Sequence, residues 1–122
     1  MKKFTKEHEW IVLNGTEAII GITDHAAHEL GDITFVELPA IGAQINAGEV
    51  LTVVESVKAA SDVFSPVSGI VCDANKELDA NPQLVNDSPE EDAWICKMKD
   101  VDASELDGLM DEKEYRAFVA TL

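Results

Sequence analysis

A chain of 122 residues that is 46% hydrophobic can bury one core, which predicts a single domain over residues 1–122. Its 24 acidic residues outnumber 9 basic ones, for a formal charge of −15 at pH 7. Phosphate backbones and anionic bilayers repel such a surface, so neither nucleic acid nor a membrane is expected as partner, whereas solubility and docking to basic protein patches both suit it.

Met1-Lys2-Lys3-Phe4-Thr5 is not followed by an apolar stretch of signal-peptide type, and no run reaches membrane-spanning length, so a cytoplasmic location is expected. Glu9 to Leu13 reads as a short strand, Asn14-Gly15 as a hairpin turn, and Thr16 to Ile22 as the partner strand. Thr23-Asp24 opens a short helix, with Asp24 as its N-cap, and Gly31 stops it. Ile33 to Leu38 is extended up to Pro39. Turns at Ile41-Gly42 and Ala47-Gly48-Glu49 flank a brief extended piece. Val50 to Val54 is a strand that climbs to Lys58, and Ser61 to Phe64 returns from it.

Ser65-Pro66-Val67-Ser68-Gly69 reverses the chain into a strand at Ile70 to Asp73. Asn81-Pro82 predicts one helical turn, and Ser88 to Asp92 an exposed acidic loop. Ala93 to Lys99 is the last strand, with Trp94 and Cys96 on one face and Ile95 and Lys97 on the other. Ser104 with Asp107 and Asp111 with Glu114 have capping-box spacing, which predicts C-terminal helices over residues 103–121 packed on a core of residues 16–100. Cys72 and Cys96 sit in apolar runs and match no metal or CxxC spacing, so two buried free thiols in a reducing compartment are expected. Many short strands between Gly and Pro turns indicate a mainly β barrel or sandwich.

No GxSxG, HExxH, P-loop or dinucleotide fingerprint is present. His25 and His28 stand three apart on the short helix, without a third ligand nearby, and read better as solvated histidines than as a metal site. Lys58 is the one residue that the pattern singles out. A nucleophilic lysine needs burial or a neighbouring cation to lose its proton, but Lys58 lies on a turn and its nearest charged neighbours are Glu55 and Asp62. It is therefore a poor catalyst and a good acceptor: reachable, followed by Ala59 and Ala60, and held on a stiff hairpin that a dedicated ligase can recognise.

The octapeptide Glu55-Ser56-Val57-Lys58-Ala59-Ala60-Ser61-Asp62 resembles the lipoyl-attachment motif of the H protein family of the glycine cleavage system. Glu7-His8-Glu9-Trp10, Gly21-Ile22-Thr23-Asp24, Leu30-Gly31-Asp32-Ile33, Val36-Glu37-Leu38-Pro39 and Ser65-Pro66-Val67-Ser68-Gly69 resemble the same family in the same order, as do Asn81-Pro82, Leu84-Val85-Asn86 and the Trp94 strand. The resemblance implies a lipoyl-domain-like barrel-sandwich hybrid with one short helix in its N-terminal half and helices at its C-terminus. It implies a carrier, not an enzyme, with lipoate bound covalently to Lys58 and Glu55, Ser56, Val57 and Ala59 read by a lipoate ligase or lipoyltransferase. The implied partners are the pyridoxal-phosphate-dependent glycine decarboxylase, which loads the arm with an aminomethyl group, the tetrahydrofolate-dependent aminomethyltransferase, which unloads it, and dihydrolipoamide dehydrogenase, which reoxidises it. The resemblance further implies that the loaded arm folds against a polar cleft, which Glu9 and Asp62 would line here.

The chain departs from the family's pattern at Glu29, at Leu51-Thr52 and at Asp92-Ala93. A relay protein that donates lipoate to other enzymes would use the same residues and stays open as the alternative. A lipoyl domain of a 2-oxo-acid dehydrogenase is disfavoured because it usually belongs to a longer chain and has Asp before the lysine. A biotin carrier is disfavoured because its lysine is flanked by methionines, where Val57 and Ala59 stand here.

Overall fold

The computed structural model describes residues 2–122. The first hairpin forms as its Asn14-Gly15 turn dictates. Strand β2 (Glu9–Asn14) pairs antiparallel with β3 (Glu17–Ile22), and Gly15 takes the left-handed φ of 63° that the tight turn needs. A strand unforeseen in the sequence, β1 (Lys2–Phe4), extends this hairpin along β2. Helix α1 (Asp24–Leu30) follows, then β4 (Ile33–Glu37), the short β5 (Gln44–Ile45), β6 (Val50–Ser56), β7 (Ala60–Phe64) and β8 (Gly69–Ala74). Two single-turn helices, α2 (Glu77–Ala80) and α3 (Leu84–Asp87), precede β9 (Cys96–Lys99), and α4 (Glu112–Val119) closes the chain.

The strands form a six-stranded sheet in the order β1-β2-β3-β9-β8-β5 and a three-stranded sheet in the order β4-β6-β7. Between them lies the core, with Ile11, Ile20, Ile33, Val36, Val54, Val71, Ile95 and Met98 essentially free of solvent. Alternation along β4 and β6 explains the layering: Val36 and Val54 are paired neighbours that point inward, while Glu37 and Glu55 point out. A second cluster joins Phe4, Trp10 and Tyr115, with Phe4 stacked on Tyr115 at 4.7 Å between ring centres. It seats α4 against the first hairpin. The buried structure thus begins at Phe4 and not at residue 16 as expected.

Several local expectations change. Thr23, not Asp24, caps α1: its hydroxyl accepts from the Ala26 N–H at 3.3 Å, while Asp24 lies in the first turn. Asp111 and Glu114 form the reciprocal capping box of α4, but the Ser104–Asp107 spacing does not make one. Asp102 caps a 3₁₀ turn over Ala103–Leu106 instead. Strict alternation fails before β9, where Ile95 and Cys96 are both buried. The Ile95 N–H there bonds to the Ile20 carbonyl at 2.8 Å, which turns the chain into the core ahead of the strand. Of the two thiols, Cys96 is buried, and burial pushes it up to about 12, whereas Cys72 is only half-buried.

Gly21 faces Trp10 across the β2–β3 ladder. A methyl group there would come within 2.6 Å of the indole, whose Nε1–H is anchored to the Pro89 carbonyl at 3.0 Å. Gly21→Ala is expected to cost about 2–3 kcal/mol, read as a lowered urea midpoint at unchanged slope. A loss below ~0.5 kcal/mol would mean that the ring moves aside freely.

Candidate functional site

The β6–β7 hairpin carries the motif, and its sequence explains its turn. The Ser56 N–H bonds to the Ala59 carbonyl at 2.8 Å, and the Ser56 hydroxyl accepts from the N–H groups of both Lys58 and Ala59 at 3.2 Å. Serine thus clasps the turn with its own side chain, and Val57, Lys58, Ala59 and Ala60 stand exposed at its tip. The Val57 N–H reaches the Asp32 carbonyl at 3.0 Å, which ties the tip to the segment after α1.

That segment is a platform. Gly31 ends α1 with a left-handed φ of 79° and bonds back to the Ala27 carbonyl at 3.2 Å. A Cβ on Gly31 would stand 2.9 Å from Lys58 Cε and 3.7 Å from Nζ, so the lysine stem lies in the space that a side chain would fill. Asn86 clamps the platform from below: its amide donates to the Gly31 carbonyl at 2.8 Å and accepts from the Ile33 N–H at 2.9 Å. Asn86 belongs to the Leu84-Val85-Asn86 motif, but nothing near it in sequence indicates this partner, because the contact joins α3 to a loop more than fifty residues away.

Beside the platform is a cavity of about 240 Å³, whose lining includes His8, Glu9, Leu30, Ser61 and Asp62. Leu30 is the residue before Gly31, so the cavity adjoins the place where the Lys58 stem lies. Glu9 and Asp62, 53 positions apart, both line it: Glu9 opens β2 and Asp62 stands in the middle of β7. They differ in state. Asp62 is exposed, but Glu9 is 3% exposed, and burial outweighs its 2.8 Å hydrogen bond from the Thr5 hydroxyl to push the carboxyl up to about 7. Glu29 also borders the cavity. A larger cavity of about 460 Å³, lined by Lys3, Leu13, Leu106 and Asp107 among others, holds none of the motif residues.

The histidines are less uniform than expected. His28 is exposed, but His8 is half-buried, with its ring 4.5 Å from that of His25 and its Nδ1 2.8 Å from the Tyr115 hydroxyl. The same hydroxyl is 2.7 Å from Thr23 Oγ1, so α4, the α1 cap and one cavity wall share a single network. Burial lowers the His8 pKa, and His25 lowers it further. Among the described residues no His/Cys/Asp/Glu group is arranged to hold a metal, and no helix is long and apolar enough to cross a membrane.

The glycine cleavage H-protein family profile matches residues 2–122. The chain belongs to the glycine cleavage H-protein family. It is 55% identical to the glycine cleavage system H protein of Phenylobacterium zucineum, over 97% of this chain and 98% of that one. It is 46% identical to that of Thermotoga maritima, over 98% and 97%. The crystal structure of the glycine cleavage system H protein from Mycobacterium marinum superposes with a TM-score of 0.87 at 30% identity, covering 98% of this chain and 96% of that one. The mainly β lipoyl-domain-like fold is thereby established, as is the function: a lipoyl carrier that shuttles an aminomethyl group in the glycine cleavage system and is not itself an enzyme. Lipoyl attachment is a feature of the family, as is interaction with glycine decarboxylase, aminomethyltransferase and dihydrolipoamide dehydrogenase.

Proposed function

We propose that Lys58 is the lysine that carries the lipoyl group, and that the cavity of Glu9 and Asp62 receives the end of the loaded arm. The observation that carries this is the Lys58 stem lying over Gly31, on a turn clasped by Ser56, one residue from the cavity lining. Lys58 Nζ forms an amide with the lipoyl carboxyl carbon, while the bond from that carbon to its activating group breaks and Nζ gives up a proton. Held on Lys58, the lipoyl group would supply a disulfide whose S–S bond takes up the electron pair that arrives with the cargo carbon, one sulfur holding that carbon and the other becoming a thiol, and reoxidation after unloading would restore the disulfide. A tether of this kind raises the effective concentration of the cargo at each partner, which suits a carrier that must bind each one only transiently.

This chain's part is to present, shelter and release. Glu55, Ser56, Val57 and Ala59 hold and flank the lysine for a lipoate ligase or lipoyltransferase. Asp62 supplies a carboxylate for a protonated amine. Glu9, whose carboxyl burial raises to about 7, keeps its proton more readily than an ordinary carboxyl and ionises more fully when a cation arrives to compensate it. Glycine decarboxylase, aminomethyltransferase and dihydrolipoamide dehydrogenase are the partners that fit this chain's arm, and its free thiols suit the cytoplasm.

Protein produced with a lipoate ligase and lipoate is expected to gain one lipoyl adduct, located on the peptide that contains Lys58 by mass spectrometry. Absence of the adduct, or its placement on another lysine, sinks the reading. Asp62→Ala is expected to shorten the lifetime of the loaded arm several-fold, followed as ammonia release from the carrier alone. An unchanged release rate removes Asp62 from the cleft.

A further inference from the structure

The outward face of the three-stranded sheet is unpartnered and unusual in composition. Pairing places Phe35, Glu55 and Ala60 in one row across β4, β6 and β7, and Glu37, Val53 and Asp62 in the next. The row between them, with Val36 and Val54, faces the core. A bulge between Ile33 and Phe35 turns Thr34 and Phe35 outward in succession, and leaves Phe35 46% exposed. The two rows thus hold one exposed aromatic, three carboxylates and no basic residue.

We propose that this face, centred on Phe35 and Glu37, is the docking surface for the enzyme that attaches the lipoyl group, which meets it with an apolar pocket rimmed by Lys or Arg. The proposal rests on the reading of Lys58 as the attachment lysine. Three observations favour this occupant. First, the attaching enzyme meets a bare lysine, chemically the same as the exposed Lys6, Lys76, Lys99 and Lys113, so its choice must come from neighbouring surface. Later partners have the arm itself to grip. Second, the turn offers little to read, because Val57 and Ala59 are aliphatic and Ser56 is occupied by the turn's own backbone. Third, the face is rigidly connected to the lysine. Phe35 pairs with Glu55 on the strand that runs into the turn, so a partner seated on Phe35 finds Lys58 at a set distance. An aromatic anchor beside three carboxylates suits a partner of opposite sign, with the carboxylates steering the approach.

The test is acceptor kinetics with unmodified protein, a lipoate ligase, lipoate and ATP. Phe35→Thr keeps a strand-forming residue at an exposed position and is expected to lower kcat/KM about tenfold or more, chiefly through KM. Glu37→Lys is expected to lower it about three- to tenfold, and to flatten the fall of the wild-type rate with added salt. Two folded variants modified at the wild-type rate overturn the docking face while leaving Lys58 as the attachment site. Normal modification with slowed aminomethyl transfer likewise overturns it, in favour of a later partner. A wild-type protein that gains no adduct on Lys58 overturns both readings.

Discussion

Lys58→Arg is expected to abolish lipoylation completely while leaving the fold intact. A guanidinium keeps the positive charge and the long aliphatic stem that lies over Gly31, but is not acylated by a ligase built for a primary amine. Among the described residues no hydrogen bond or ion pair involves Nζ: the turn is held by the Ser56 side chain and by backbone bonds, to which Lys58 contributes its N–H. The variant is therefore expected to melt within ~2 °C of wild type. Intact mass after co-expression with a ligase reads the first outcome, and a thermal melt reads the second. An adduct of unchanged yield in Lys58→Arg would assign attachment to another lysine. A variant that fails to fold would show that the lysine does structural work absent from these contacts.

Glu9→Gln is expected to raise stability at pH 8 and to leave it nearly unchanged at pH 4. The native carboxyl titrates at about 7, whereas the unfolded one titrates near its ordinary value of 4.5. Below 4.5 both states hold the proton and nothing is lost. Between 4.5 and 7 the unfolded chain ionises first, so stability falls as pH rises. Above that window the folded protein has lost up to about 3 kcal/mol that a neutral side chain would have kept. The substituted amide is neutral throughout and can still accept from the Thr5 hydroxyl, as the carboxyl does. Urea midpoints for both proteins at pH 4, 6 and 8 give the comparison. A difference that stays constant with pH would show that Glu9 titrates alike in the folded and unfolded chain. The position thus carries a stability cost that grows as pH rises through neutrality, which a purely structural site has no reason to keep, and a carboxyl that still holds part of its proton near pH 7 is a group that an incoming ammonium can ionise.

A second carboxylate, half-buried, contrasts with it. Glu90 sits where the Asp24 N–H, Arg116 and Lys2 converge at 2.9, 2.9 and 3.3 Å. Burial alone would raise its pKa, but these donors hold it below the ordinary value. Burial raises both carboxyls, but at Glu90 donors and cations from three elements outweigh it, whereas at Glu9 the Thr5 hydroxyl does not.

Much of this was readable in the residues themselves. Asn14-Gly15, Gly31, Asp111 with Glu114, and the valine-rich run into Lys58 each act through neighbours a few positions away, and each forms the element that its local chemistry predicts. The exposed lysine turn, its acidic flanks and the ordered motifs were local too, and with them the carrier function and its family. Tertiary structure decided what depends on residues distant in sequence. It set Ile95 inward beside Cys96, chose Thr23 over Asp24 as the cap, and brought β1 and α4 together around Phe4 and Tyr115. It also made Gly31 a bed for the Lys58 stem, set Asn86 beneath it, and sealed Glu9 from water beside Asp62. The physical reason is one of range. Turn, cap and strand preferences are energies between near neighbours, whereas burial and the protonation of a carboxyl depend on which distant surfaces close over it.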